Sequence, residues 1–328
     1  MVAWGVNVTQ TGADVPVGTV GDWRRFVVSD PRAVEIALRY KSQGSKIIAV
    51  AAKQVIYQLG NNTQTTPRTF FDKFGFCDAI QVWNEPDGGG DESDVASKDT
   101  YQTWLWAFRD EAARRAWSGT LLAAGLVSGN PDWMRGVDLT GPNGGYRLCL
   151  HPYDQKPYAQ YPDWGHGTIS DLLDAYRPYL PAGTAFWLTE CSRTTRDEAV
   201  QARYAETLVK TLAPRRDVAF AAWYCWKDWH LGDTPRPFGL VREDGGVKPT
   251  WAAWATAVKE VSVAEPATPT WAQDKQRIEE QISFLVENQR RILQGKWDEA
   301  RIYLDAIDPA MAGKWTNCHF TGCDSGEV

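Results

Sequence analysis

Two glutamates, each closing a short apolar run, are the residues of this 328-residue chain whose type and spacing most directly invite chemistry. Glu85 lies near the end of Ala79-Ile-Gln-Val-Trp-Asn-Glu-Pro-Asp87, and Glu190 near the end of Thr184-Ala-Phe-Trp-Leu-Thr-Glu-Cys-Ser192. Each run reads as a buried strand that delivers a carboxylate to its C-terminal end, and Pro86 forbids continuation of the first ladder. Two facing carboxylates do not readily both ionise at neutral pH, so one stays protonated as an acid while the other keeps its charge. Across a glycosidic bond such a pair is hydrolytic. At roughly 5–5.5 Å the charged member attacks the anomeric carbon, and at roughly 6.5–9.5 Å a water fits between and attacks instead. Spacing along the chain leaves both routes open.

The elements that must position these groups follow from the alternation of strand-like and helical runs. Strands are expected at Trp4 to Val8, Trp23 to Val28, Lys46 to Ala52, Ala79 to Glu85, Leu121 to Val127, Tyr146 to Leu150, Phe186 to Leu188 and Val218 to Tyr224. Helical patterns cover Asp30 to Tyr40, Thr69 to Phe74, Thr100 to Trp117, Ser170 to Tyr179, Asp197 to Leu212 and Thr250 to Val261. About a dozen residues separate the first two strands, too few for a full crossover helix. Eight short, nearly all-apolar strands alternating with helices predict a parallel sheet buried on both faces. So many repeats favour a closed α/β (β/α)8 TIM barrel over an open doubly wound sheet, and no Gly-x-Gly-x-x-Gly follows the first strand. Chemistry in such a barrel gathers at the C-terminal strand ends. Besides the two glutamates, these ends present Asn7, Asn84, His151, Tyr153, Asp154 and Trp226-Lys-Asp-Trp229. Asp228 and His230 read as solvated loop residues.

Composition narrows the partners. A net charge of −6 gives no reason to expect nucleic acid or an anionic membrane surface. No apolar stretch reaches the ~20 residues of a spanning helix, and the N-terminus lacks the basic and apolar regions of a secretory signal. The expectation is a cytoplasmic protein or part of a larger particle. Seventeen tryptophans are many; most belong in a core, but aromatic faces also pack on sugars. Six cysteines in this length are no disulfide framework. Cys149, Cys191 and Cys225 read as small buried hydrophobes. Cys318 and Cys323 read as a terminal disulfide or half a metal site. The acidic loop Gly88 to Asp94 lacks the spacing of a calcium loop and is taken as solvated. No metal or organic cofactor is expected.

Beyond Val261 the composition changes. The barrel is expected over 1–262, a Pro-rich linker over 263–270 and a helical extension with its tail over 271–328. Ile278, Ile282, Leu285 and Ile292 form a four-three seam, with Gln289 at the remaining position. Helix 271–293 either lies on its own domain or serves self-association or docking into an assembly.

Trp-Asn84-Glu85-Pro, Trp-Leu-Thr-Glu190, His151-Pro-Tyr153 and a Trp-rich eighth strand together resemble the large clan A of retaining (β/α)8 glycoside hydrolases, which includes cellulases, mannanases, xylosidases and β-galactosidases. The stretch Phe238-Gly-Leu-Val-Arg-Glu-Asp-Gly-Gly-Val-Lys-Pro-Thr-Trp251 is similar to the turn that precedes the last helix in that clan. The resemblance spans residues 3 to 261. It implies cleavage of a β-linked oligo- or polysaccharide with retention, Glu85 as acid/base and Glu190 as nucleophile. It also implies that Asn84 holds the 2-hydroxyl, that Tyr153 touches the nucleophile and that Trp226 or Trp223 forms the platform under the sugar. His151 is expected to line the cleft, and Arg25, with Arg24 beside it, resembles the arginine that orients the nucleophile. The alternative is a saccharide-binding or structural module that keeps the barrel within an assembly such as a phage particle. An aldolase would need a lysine or metal cluster at the strand ends, for which Lys53 and Lys227 do not suffice.

Overall fold

The eight expected strands close into one parallel barrel in the computed structural model, which describes residues 2–8, 15, 21–28, 32–88, 95–141, 144–153, 168–181 and 183–263. They are β1 (Ala3–Val8), β2 (Trp23–Val27), β3 (Lys46–Ala51), β4 (Ala79–Val82), β5 (Thr120–Leu126), β6 (Arg147–Leu150), β7 (Phe186–Cys191) and β8 (Val218–Trp223). Each pairs with its sequence neighbour, and β1 pairs with β8 from Ala3↔Phe220 to Val6↔Trp223 to complete the ring. Outside lie α1 (Ala33–Ser42), α2 (Lys53–Gln58), α3 (Thr66–Phe74), α4 (Lys98–Arg114), α5 (Ile169–Tyr176), α6 (Glu198–Leu212) and α7 (Pro249–Val263). A short hairpin of β9 (Trp229–Leu231) and β10 (Thr234–Arg236) follows β8.

Local chemistry sets the helix starts. Ser97, Thr168 and Asp197 each accept a backbone N–H of the first turn of α4, α5 and α6, and Pro67 occupies the first turn of α3. α2 was not expected from the sequence, and between β5 and β6 a 3-10 turn, Pro131–Met134, stands where a full helix would be.

The period-two alternation of the strands divides the core in two. Inward residues Trp23, Ile48, Ala79, Leu122, Cys149, Trp187, Phe220 and Ala222 form one cluster inside the barrel. Trp23, Trp187 and Phe220 meet with centroids 4.9–5.6 Å apart and plug its floor. Gly5 of β1 makes room, since a Cβ there would lie 2.8 Å from Trp23 Cβ. Outward residues such as Phe26, Val82, Leu148 and Trp223 join the larger layer between strands and helices.

Two strand ends differ from expectation by three residues. β4 stops at Val82, three residues before Glu85, because Trp83 and Glu85 take left-handed φ of +70° and +47° and leave strand geometry. β7 continues past Leu188 to Cys191, so Glu190 lies within the strand. Cys77, Cys149, Cys191 and Cys225 are free and buried. No helix among the described residues is long and apolar enough to cross a membrane. Asp154, loop residues 89–94, the linker from 264 on, the stretch 271–293 expected to be helical, and Cys318 with Cys323 lie outside the described residues.

Candidate active site

Alternation continues above the aromatic floor and aims the polar residues. Trp23 faces inward on β2, so Arg25 does too. Arg24 points outward, near the Tyr40 ring and bonded to Gly21 O and Trp23 O. The same parity carries Ala79 to Gln81 on β4 and Cys149 to His151 at the end of β6. Glu85 and Glu190 need irregularities to join them. The left-handed turn at Trp83 and Glu85 bends the chain after β4 back over the barrel mouth. In β7, Thr189 is inward by parity, and a register shift between Leu188 and Cys191 turns the adjacent Glu190 inward as well. Bulges at strand ends commonly re-aim side chains in this way.

The outcome is one buried network. Arg25 donates Nη1 to Glu190 Oε1 at 2.5 Å and to Asn7 Oδ1 at 2.6 Å, Nη2 to Asn84 Oδ1 at 2.7 Å, and Nε to Gln81 Oε1 at 2.9 Å. Asn7 Nδ2 donates to Thr189 O at 2.9 Å and Trp223 O at 3.2 Å, tying β1 to β7 and β8. Gln81 Nε2 joins Arg25 in donating to Asn84 Oδ1, at 3.3 Å, which fixes the amide's orientation. The Tyr153 hydroxyl donates to Glu190 Oε2. His151 Nδ1 lies 2.8 Å from Glu85 Oε1 and 3.7 Å from Glu190 Oε2.

The two carboxylates therefore sit in unlike surroundings. Burial pushes Glu190 up, but the facing edge of His151, the Arg25 guanidinium and the Tyr153 hydroxyl outweigh it and hold Glu190 below the ordinary carboxylate range. Glu85, 7% exposed, has the His151 imidazole as its side-chain partner instead of a guanidinium or phenol. Burial, reinforced by the charges of Glu190 and Glu85, drives the Tyr153 phenol well above its usual value, so it stays a donor. Glu85, His151 and Glu190 each offer a donor atom within 4.8 Å of the others, a set that could ligate a cation. Both Glu190 oxygens are already engaged, one by a guanidinium, so a metal there would sit against a buried positive charge.

Of the residues expected at the site, Arg25, Asn84, Glu85, His151, Tyr153 and Glu190 converge. The two tryptophans do not. Trp223 is fully buried on the outward face of β8, packed on Tyr204 and Trp254 with Nε1 bonded to Phe238 O. Trp226 is packed against Trp251 of α7, beyond the point where the chain leaves strand geometry. Tyr224 takes the inward position by parity with Phe220 and Ala222, and its ring meets Tyr153 and Phe238 at 6.1 and 5.5 Å. Gln81, Thr189, Tyr224 and Phe238 are thus the site residues the sequence reading missed. Strand parity alone was a signal for Gln81 and Tyr224.

Asp228 is not solvated. Its Oδ1 accepts the buried Lys248 Nζ at 2.8 Å and Gly239 N at 2.7 Å, so the lysine of Lys-Pro-Thr-Trp latches the chain after β8 onto the start of α7. His230 is exposed and pairs with Glu243 at 3.0 Å.

A closed parallel barrel with glutamates from the fourth and seventh strand ends facing across its mouth has the fold of the (β/α)8 glycoside hydrolases. No family model matches the sequence, and no curated protein matches it. Among solved structures, the barrel is similar to a GH5_18 protein from Streptomyces cattleya in complex with GlcNAc, at 17% identity over 75% of this chain and 73% of that one, TM-score 0.57. It is also similar to a GH128 (subgroup I) endo-beta-1,3-glucanase mutant from Amycolatopsis mediterranei in complex with laminarihexaose, at 18% identity over 77% and 98%, TM-score 0.53. A GH128 (subgroup VII) oligosaccharide-binding protein from Trichoderma gamsii aligns at 14% identity over 74% and 88%, TM-score 0.50. At such identities the likeness is one of fold.

Proposed function

We propose that this chain is a retaining glycoside hydrolase that cleaves a β-linked saccharide. The observation that carries the reading is the buried pair Glu85 and Glu190, whose nearest donor atoms, with His151, lie within 4.8 Å of one another and whose partners differ in charge. A double displacement needs a close pair, with carboxyls roughly 5–5.5 Å apart, whereas inversion at roughly 6.5–9.5 Å leaves room for a water between them.

In the first half-reaction, Glu85 gives its proton to the glycosidic oxygen while Glu190 attacks the anomeric carbon. The leaving alcohol departs and an ester joins the sugar to Glu190. Glu85, now a carboxylate, then takes a proton from water as that water attacks the same carbon and Glu190 is released. Arg25 and Tyr153 keep Glu190 ionised and aimed, at the cost of lowering its basicity. Arg25 and Gln81 on Asn84 Oδ1 leave Nδ2 as the atom of that amide able to meet a sugar hydroxyl. Tyr224 and Phe238, rather than Trp223 or Trp226, supply the aromatic wall beside the nucleophile.

The test is turnover of a panel of aryl β-glycosides and β-linked oligosaccharides, with a 2-deoxy-2-fluoro glycoside to trap the intermediate. The trapped mass is expected on the peptide containing Glu190, and Glu190→Gln is expected to abolish turnover. Full activity of Glu190→Gln sinks the assignment. A second reading, a saccharide-binding module, draws on the Trichoderma gamsii protein, in which a similar barrel serves oligosaccharide binding. Micromolar oligosaccharide binding with no cleavage of any panel member would favour it. The unlike environments of the two glutamates favour catalysis, because binding a neutral sugar does not require one carboxylate to be held ionised.

A further inference from the structure

We infer that Thr189 is a positioning residue that sets the tautomer of His151 and thereby decides which oxygen of Glu85 carries the proton delivered to substrate; the inference rests on the glycosidase reading above. His151 is 1% exposed, with Nδ1 2.8 Å from Glu85 Oε1 and Nε2 3.0 Å from Thr189 Oγ1. A neutral imidazole has one donor and one acceptor, whereas a threonine hydroxyl is both. Two arrangements satisfy both contacts. In one, Nδ1–H donates to Glu85 Oε1 and the Thr189 hydroxyl donates to Nε2. In the other, Nε2–H donates to Thr189 and a proton on Glu85 Oε1 is donated to Nδ1.

The geometry selects the first. Nδ1 also faces Glu190 Oε2 at 3.7 Å, and Glu190 is the carboxylate that Arg25 holds ionised, so an N–H edge there is attracted and a lone pair repelled. With Nδ1–H donating, Oε1 remains an acceptor in both protonation states of Glu85. The proton of the acid form then sits on Oε2, free to move to a leaving group. In the second arrangement the same proton is held against a buried ring.

Thr189 is built to keep this state. Its carbonyl is fixed by Asn7 Nδ2, and its other polar neighbour is the buried Cys149 thiol, whose S–H is directed at Arg147 O, 3.8 Å away. Sulfur is the weaker acceptor, so the hydroxyl proton goes to the imidazole. Gly125 closes the far side. A Cβ there would fall 1.9 Å from His151 Nε2, so the ring lies directly on backbone that has no side chain.

Two arms test this on the full chain. The first is 15N NMR of histidine-labelled protein, assigned by difference against His151→Gln. The wild type and Thr189→Ser should show His151 protonated on Nδ1 alone, and Thr189→Val should lose that single-tautomer pattern. The second arm reads kcat/KM against leaving group. Thr189→Val should slow poor phenol leaving groups on the order of 10- to 100-fold, leave a dinitrophenyl glycoside within about threefold, and be rescued by Thr189→Ser. An Nε2–H or doubly protonated His151 in the wild type overturns the inference, as does an equal loss on every substrate. A wild type inactive on all substrates sinks the glycosidase reading instead, while the NMR arm still judges the tautomer.

Discussion

Glu85 and Glu190 have the same side chain and are separated by their partners. Glu190 lies between a guanidinium and a phenol, whereas Glu85 lies against an imidazole and a turn of its own backbone. Glu85→Ala should therefore lower turnover of unactivated substrates by about 10²–10⁴-fold, with activated aryl glycosides cleaved slowly and the rate raised by azide, which needs no general base. Loss of azide acceleration would argue against Glu85 as the acid/base. Asp87, two residues on, is the staple of this turn. It accepts Val127 N at 3.1 Å, Ser128 N at 2.9 Å and Ser128 Oγ at 2.5 Å. Burial pushes it up to about 6, against those hydrogen bonds and with help from the charge of Glu85. The folded chain thus favours its protonated form. The stability Asp87 contributes is full below its ordinary value near 3.8 and is lost as pH rises through about 6. Urea melts from pH 4 to 8 should show this decline in the wild type and not in Asp87→Asn; parallel curves would refute it. Glu190 has the opposite sign, its contribution being lost as pH falls.

At the scale of elements, the site depends on where strands depart from regularity. Ala124 has a left-handed φ of +49°, and the β5–β6 register shifts between Ala123 and Leu126, which places Gly125 flat against His151. Gly125→Ala should cost about 1–3 kcal/mol through overpacking and displace His151 from Glu85. Thermal melting reads the first effect and the leaving-group dependence of kcat/KM the second. An alanine variant with unchanged kcat/KM on poor leaving groups would show that the ring position does not matter. Both Arg25 and His151 could be proposed from the sequence, but parity separates Arg25 from Arg24 only once Trp23 is seen to face the barrel interior. Trp223 is away from the cleft because it falls on the outward face of β8, and Trp226 because the chain after β8 turns toward α7.

For the whole molecule, closure is complete within the described residues: β8 returns to β1, and Trp254 of α7 packs on Trp4 and Trp223. We propose that the barrel is a folding unit of its own and that the stretch 271–293, expected from its apolar seam to be helical, mediates self-association. A chain ending at residue 264 should retain the thermal transition of the full chain and elute from a sizing column as a smaller assembly. Unfolding of the shortened chain would refute the first proposal, and identical assembly states the second.

By itself the sequence determined that eight apolar strands alternate with helical runs and that two glutamates lie close to the C-terminal ends of the fourth and seventh. Those are local properties: apolar runs, a Pro that stops a ladder, caps that start helices. Only the tertiary structure decided that both carboxylates turn inward within 4.8 Å, that Arg25 and not Arg24 meets Glu190, that Tyr224 replaces the tryptophans beside the cleft, and that Thr189 and Gly125 hold His151. Each of these turns on a bulge, a left-handed residue or a strand end. Such features arise where neighbouring strands compete for register, and that competition is settled only when the barrel closes.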